Sequence, residues 1–437
     1  MTAPAPVPTL REAWPVWLRI GLLGFGGPAG QIALMHRELV ERRGWIDERR
    51  FLQALNVCML LPGPEAHQLS VYVGWLLHRT KGAVIAGVLF VLPGAAMLWA
   101  LSWLYVTHGH NAAVSAAFAG LRPALVAVIA AALWRVGRTA VRTVPQALLA
   151  GGAFLALAFA DVAFPWVIGA AALVGALSGG SRSARASSGE AAEAAEGAPA
   201  LPRGEASSGP ASEPLSGWGT VRTAVRWTAL WLAPIAGLVL VLGPEHVLTL
   251  QARIFSPVSL VTFGGAYAVL PYVAHHAVDT HGWLTAGQML DGLALAETKP
   301  GPLVLVLQFV GFLGAWSSPA PFAPLAAATL GSAVTVWSTF VPSFLFILTI
   351  APHMERLNQR PRIAKALASV TAAVAGVILS LAVWFGREVG WPDGRADLWA
   401  IGLSVAAGVV LTRTRVGLPW VLAACALAGW VRYALAG

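Results

Sequence analysis

Apolar stretches of bilayer-crossing length recur along the chain, at residues 82–106, 112–134, 145–178, 224–242, 321–350, 366–385, 397–411 and 416–434. A hydrocarbon core of about 30 Å takes about 20 helical residues to cross. No water reaches a backbone N–H or C=O inside that core, so each crossing has to be a helix that pairs its own backbone. Soluble domains carry about 25% charged residues, whereas this chain carries 11%, with 57% hydrophobic residues, which excludes a water-soluble fold. The N-terminal MTAPAPVPTLREAW lacks a basic segment followed by an apolar core and a small-residue cleavage site. No cleavable signal peptide is therefore expected, and the spans themselves target the chain to the membrane.

Lysine and arginine number 29 against 20 acids, and many of the cations flank the spans. In a membrane protein this pattern sets orientation and does not indicate nucleic-acid binding. Cys58 and Cys425 lie in apolar segments without ligand-like neighbours, so they are expected to be packing residues, with no disulfide, metal site or cofactor.

Residues 178–217 read SGGSRSARASSGEAAEAAEGAPALPRGEASSGPASEPLSG, a composition that cannot bury a core. The expected organisation is an N-terminal repeat over 1–178, a disordered cytoplasmic linker over 179–222, one additional span over 223–245 and a C-terminal repeat over 246–437.

The division into repeats rests on self-similarity. FGG occurs at Phe25 and again at Phe263, Gly-Trp at Gly44 and again at Gly282, and Pro-Gly-Pro at Pro62 and again at Pro300, each pair 238 residues apart. A shared offset marks an internal duplication. Further on, FVLPG from Phe90 matches FVPS from Phe340, and LRPALVAVI from Leu121 matches VTAAVAGVI from Val370. The loop from Arg37 to Arg50 holds five arginines, whereas its counterpart from His275 to Thr285 holds no lysine or arginine. The positive-inside rule places these loops on opposite sides. The additional span then inverts the second repeat, and the expected fold is an all-α polytopic membrane protein of two inverted-topology repeats, with about 13 membrane segments and helical hairpins.

Two segments in each repeat are interrupted, 14–35 by GFGGPAG and 51–78 by LPGP. The leg from Leu52 to Leu61 is about 15 Å of helix, half the hydrocarbon thickness, so its Pro-Gly-Pro tip belongs near mid-membrane. Broken backbone at that depth survives only where protein or a watery cavity surrounds it. A helix that starts after such a break aims free N–H groups and a positive dipole end at what lies ahead, which suits an anion. Four such starts follow Gly26-Gly27-Pro28, Pro62-Gly63-Pro64, Gly264-Gly265 and Pro300-Gly301-Pro302. Convergence on one anion site and plain kinks in a packed bundle both fit the pattern.

Individual side chains carry paired alternatives. Lys299, beside the second Pro-Gly-Pro, either binds the anion or forms an ion pair with Glu297. Glu297 and Glu65 are the carboxylates available for proton coupling. Arg122 sits about ten residues into an apolar segment, where it serves either function or the carbonyls of a broken hairpin. Gln68 and Gln308 offer uncharged hydrogen bonds to an oxyanion, or polar packing between helices. His36, Arg37, Glu38, Arg42 and Arg43 form either an anion-collecting vestibule or a solvated cytoplasmic loop.

These residues resemble the chromate ion transporter family in its long, two-domain form. The likeness runs through FGGPAGQIALMHRELVERRGWI, FLQALNVCMLLPGPEAHQLSVYVGWLLHRTKG and AGVLFVLPG, and resumes with FGGAYAVLPYV and LALAETKPGPLVLVLQFVGF. It implies a transporter in the bacterial inner membrane that exports chromate, an analogue of sulfate, at the expense of the proton-motive force and confers chromate resistance. The FGG and Pro-Gly-Pro positions, with Glu38, Arg43 and Glu297, are the residues it implies. Ala266 stands where the first repeat has Pro28, and Lys299 departs from the neutral residue expected there. The implied partners are chromate or a sulfate-like oxyanion, protons and membrane lipid; a homodimer is compatible with this scheme. A channel or receptor is the competing class. A membrane-embedded enzyme would need clustered ligands or acid and base groups, and the ten histidines are scattered.

Overall fold

The computed structural model describes residues 8–109, 111–160, 162–178, 217–263, 265–350, 361–414 and 416–436. Among the described residues every regular element is helical. Helix α1 (Leu10–Leu23) starts on a capping box in which Thr9 and Glu12 satisfy each other's amides. It stops at Gly24, and Gly26 and Gly27 follow with φ of +85° and +69°. Those angles suit glycine and turn the chain into α2 (Gly27–His36), which has a proline at its first turn.

A π-turn over Arg37–Glu41 and a left-handed Gly44 then lead to Asp47, whose side chain caps α3 (Glu48–Leu60). Pro62 and Pro64, which lack amide hydrogens, end that helix, and α4 (Glu65–His108) begins. Its 44 residues are not straight. His78 and Arg79 leave helical geometry, and Gly74 touches Gly82 backbone to backbone, so α4 folds into two limbs lying side by side.

The remaining helices are α5 (Ala112–Ala140), α6 (Val144–Phe159), α7 (Phe164–Leu177) and α8 (Gly217–Leu242). Then come α9 (Val247–Val261), α10 (Leu270–Ala274), α11 (Ala286–Thr298), α12 (Val306–Ser317) and α13 (Pro324–Ile350), followed by α14 (Pro361–Gly390), α15 (Leu398–Arg413) and α16 (Leu418–Ala436). Six are long and apolar enough to cross a membrane: α4, α5, α8, α13, α14 and α16. Shorter apolar helices, α6, α7, α9 and α15 among them, accompany these. Helix α8 starts at Gly217, inside the segment expected as linker, and residues 179–216 lie outside the described residues.

The offset of 238 extends well beyond the motifs. Helices α3 and α11 both have 13 residues and start 238 apart, each capped by a side chain, Asp47 and Thr285. The π-turn at Arg37 has its counterpart at His275. Gly44 and Gly282 share φ near +60°, and the Trp45 and Trp283 amides close equivalent turns onto the Leu39 and Ala277 carbonyls. The copies differ where helices restart. The second FGG opens into a 3-10 turn (Ala266–Ala268) before the five-residue α10, and the second Pro-Gly-Pro opens into another 3-10 turn (Leu303–Leu305). The expected α-helical starts in the second repeat are thus tighter turns. Ala266, unlike Pro28, does not fix φ for a first helical turn.

Small residues set the closest helix contacts, as expected where backbone proximity, rather than water exclusion, holds helices together. At the α5–α16 crossing, a Cβ on Gly120 would lie 2.0 Å from the Cys425 carbonyl oxygen. Gly120→Val is therefore expected to destabilise the protein by about 1–3 kcal/mol, measured as a lower midpoint of thermal unfolding in detergent. An unchanged midpoint would show that these helices do not meet there.

Candidate functional site

The four breaks in helical structure meet in crossed pairs. The Gly301 amide donates to the Gly24 carbonyl at 2.9 Å, and the Gly63 amide donates to the Thr262 carbonyl at 2.8 Å. Gly24 and Thr262 are 238 residues apart, as are Gly63 and Gly301, so these bonds are equivalents in the two copies. Each Pro-Gly-Pro corner is seated on the Phe-Gly-Gly break of the other copy. Carbonyls that lost their helical donors at the breaks thereby gain one. Gly63 and Gly301 hold φ of +126° and +85°, angles that only glycine adopts without strain.

The second corner is densely tied. Lys299, 2% exposed, donates from Nζ to the Pro302 carbonyl at 2.6 Å, and no carboxylate lies within ion-pair distance of it among the described residues. Glu297 instead accepts from the Tyr267 hydroxyl at 2.5 Å. Gln31, fully buried, donates from Nε2 to both the Gly24 and Gly301 carbonyls, at 3.2 and 2.8 Å. Gln308 donates to the Ala95 carbonyl of the other copy at 2.9 Å. Gly94 lies so close that a Cβ there would sit 2.3 Å from the Pro300 carbonyl oxygen.

The first corner differs. Gln68 Nε2 caps the Pro62 carbonyl at 2.6 Å, as Lys299 caps its own corner, yet Gln68 Oε1 has no partner. Glu65, in the first turn of α4, makes no hydrogen bond or ion pair among the described residues. The Pro64 cap supplies no side-chain acceptor to that turn.

Other expected residues stand apart from these corners. Glu38, buried after α2, accepts from Arg42 at 2.6 Å and from Arg43, and Arg19 lies 4.0 Å away. The Arg43 guanidinium also lies over the Trp45 ring at 5.5 Å. Burial pushes the Glu38 carboxyl up, but the Arg43 hydrogen bond and the charges of Arg19, Arg43 and Arg42 outweigh it and hold the group below the usual carboxylate range. The second copy does not repeat this cluster. His276 and His281 occupy the equivalent positions, with His281 stacked on Trp283 at 5.0 Å.

Arg122 forms a two-pronged ion pair with Asp291 of α11, both contacts at 2.9 Å, and Tyr105 donates to the same carboxylate at 2.8 Å. Tyr105, Trp283 and Gln288 line an adjoining cavity of about 280 Å³. Residues 351–360 lie outside the description, as does Gly264 of the second FGG. Asp291, Gln31, Tyr267 and Arg19 were not singled out from sequence. Asp291 carries a detectable signal, as an acid flanked by apolar residues within the helix Ala286–Thr298, which also holds Glu297.

The chromate transporter family matches residues 12–176 and 250–430. A protein of Pseudomonas aeruginosa named chromate transport protein is 32% identical over 95% of this chain and 90% of its own length. One of the same name from Cupriavidus metallidurans is 29% identical over 99% of this chain and 95% of its own length. A probable chromate transport protein of Synechococcus elongatus is 28% identical over 88% of this chain and 86% of its own. No solved structure matches the chain.

The Arg122–Asp291 pair gives a direct test. Removing one partner of a fully buried pair costs roughly 3–5 kcal/mol, but the Arg122 side chain is 38% exposed, so solvent screens part of that. Asp291→Asn is expected to destabilise the protein by about 2 kcal/mol. Adding Arg122→Gln to that variant is expected to restore part of the loss in a thermal-unfolding double-mutant cycle. Strict additivity would show that the two side chains do not interact.

Proposed function

The chain belongs to the chromate transporter family, and we propose that it is a secondary active transporter that exports chromate, a tetrahedral oxyanion, across the bacterial inner membrane. Proton-motive force drives the cycle in this scheme, and the physiological result is chromate resistance. The two repeats lie in opposite orientations, inverted by the crossing of α8, with about 13 membrane segments in all. Chromate transport is the activity named for the relatives from P. aeruginosa and C. metallidurans. The arginines of the Arg37–Arg50 loop, absent from its counterpart, support opposed orientations.

The observation that carries the proposal is the crossed pair of backbone bonds, Gly301 to Gly24 and Gly63 to Thr262. At the first corner the Gly63 amide links the copies, and at the second Gln31 adds a further bond from one copy to the Gly301 carbonyl of the other. A net hydrogen bond contributes about 1 kcal/mol, so the copies can part at the first corner at small cost if the released groups find new partners. An oxyanion that binds one arrangement better supplies the bias. Glu65, which lacks a partner among the described residues, is the carboxylate placed to exchange a proton with the cycle.

Purified protein in proteoliposomes provides the test. Chromate flux is expected to saturate, to follow the imposed proton gradient and to be inhibited by competing oxyanions to different degrees. A non-saturating conductance would identify a channel and overturn the carrier. Because Lys299 is committed to the Pro302 carbonyl, Lys299→Met is expected to lower the maximal rate several-fold, while half-saturation stays within about two-fold. A large rise in half-saturation in a folded variant would instead place Lys299 on the ion.

A further inference from the structure

Buried polar groups without partners are rare in a membrane protein, since each unsatisfied one costs about 1–3 kcal/mol or more. Several of them gather at the first Pro-Gly-Pro corner. His67 is fully buried, and among the described residues neither ring nitrogen makes a hydrogen bond of normal geometry. Its ring meets Phe340 and Phe344 of α13 edge-on, with centroids 5.0 and 5.3 Å away. Ser343 and Thr339, one turn apart on that same face of α13, are 1% and 2% exposed, and neither hydroxyl oxygen has a partner. Ser343 Oγ lies against Gly63, 3.3 Å from where a Cβ would be. Gln68 must present its NH2 to the Pro62 carbonyl, which fixes Oε1 as an unpartnered acceptor.

The equivalent surroundings at the second corner are closed. Gly94 stands 249 residues before Ser343, and it packs directly on the Pro300 carbonyl. Among the described residues the first corner therefore gathers several neutral groups without partners, donors as well as an acceptor, whereas the second, which holds Lys299, leaves the Gln308 Oε1 acceptor. The first corner counts three donors, from His67, Thr339 and Ser343, and one obligate acceptor, Gln68 Oε1. A tetrahedral oxyanion carrying a single proton needs three donors for its bare oxygens and one acceptor for its hydroxyl. Charge points the same way. Among the described residues no lysine or arginine contacts these groups, and the cost of burying an ion rises with the square of its charge, so a monoanion is far easier to hold here than a dianion. The open first turn of α4 adds the positive end of its dipole.

We propose that His67, Gln68, Thr339 and Ser343 bind the singly protonated form of a tetrahedral oxyanion at the first corner, and that this selects chromate over sulfate. Hydrogen chromate persists near neutral pH, whereas hydrogen sulfate is a much stronger acid and is fully ionised there. The proposal rests on the chromate-transport function and adds where, and in which protonation state, the ion is held. The titratable groups around the site are His67 itself, Glu65 in the same turn, and Cys58 of α3.

Equilibrium binding of labelled chromate and labelled sulfate to the full chain in lipid nanodiscs tests it. Wild-type protein is expected to prefer chromate, by a margin that grows as pH falls through the range in which chromate takes up its proton. Ser343→Ala and Thr339→Val are expected to weaken chromate binding about ten- to hundred-fold, the worth of a hydrogen bond to a charged partner. Thr335→Val, whose hydroxyl is already satisfied by the Gly331 carbonyl one turn away, is expected to change it less than two-fold. Thermal unfolding confirms that each variant is folded. If wild-type protein transports chromate while folded Ser343→Ala and Thr339→Val bind it normally, this site is refuted and transport stands. A preference for sulfate at every pH refutes the protonated form. Wild-type protein that neither binds nor moves chromate overturns the transport function as well.

Discussion

A helix interrupted within a membrane leaves backbone groups that neither water nor lipid can satisfy, and the architecture depends on how that requirement is met. Here the two copies meet it for each other. The Gly24 and Thr262 carbonyls are released where α1 and α9 end, and the amides that reach them belong to Gly301 and Gly63 of the opposite copy. Neither copy supplies both members of its own pair. The corners are therefore a joint product of the duplication, and the glycines within them hold angles that allow the amide to point outward.

The shared backbone frame carries divergent side chains. At the second corner Lys299, Gln31 and Gln308 each use a donor on a main-chain carbonyl, and Gly94 permits direct backbone contact. At the first corner only Gln68 plays such a part, and the neighbouring His67, Thr339 and Ser343 leave their polar atoms unpaired. Outside the corners the same divergence separates the Glu38–Arg42–Arg43 cluster from His276 and His281. An arginine-rich loop satisfies the charge rule on one side of a membrane and would violate it on the other, so equivalent loops facing opposite sides would not retain the same charges.

Much of this frame was legible in the sequence because it is encoded locally. Gly-Gly and Pro-Gly-Pro end helices by their own dihedral limits, Asp47 and Thr285 cap by their own side chains, and a constant offset needs no tertiary information. Partner choice was not legible. Arg122 reads as a functional candidate because it lies about ten residues into an apolar segment, and its partner Asp291 is 169 residues away. Lys299 was weighed as an anion ligand or a partner for Glu297, but a carbonyl three residues on takes its ammonium and Tyr267 takes the carboxylate. The 3-10 restarts of the second copy were also missed. Pro28 specifies a first helical turn, and the effect of its loss at Ala266 depends on what packs against the break.

The contrast between the corners bears on which one can move. Parting the copies at the second corner would break the Gly301 amide bond to Gly24, the Gln31 bond to Gly301 and the Gln308 bond to Ala95 at once, beside the close contact of Gly94 with Pro300. Each buried group left without a partner costs about 1–3 kcal/mol, and a charged one more, so the sum is a large barrier unless every group is re-paired. The first corner has fewer commitments, with the Gly63 amide bond to Thr262 between the copies, and it already borders groups with spare capacity. An arriving oxyanion could satisfy those spare groups, so its binding would offset the loss of one intercopy bond. In the proposed cycle the second corner is thus the fixed bearing and the first the element whose position depends on the ion.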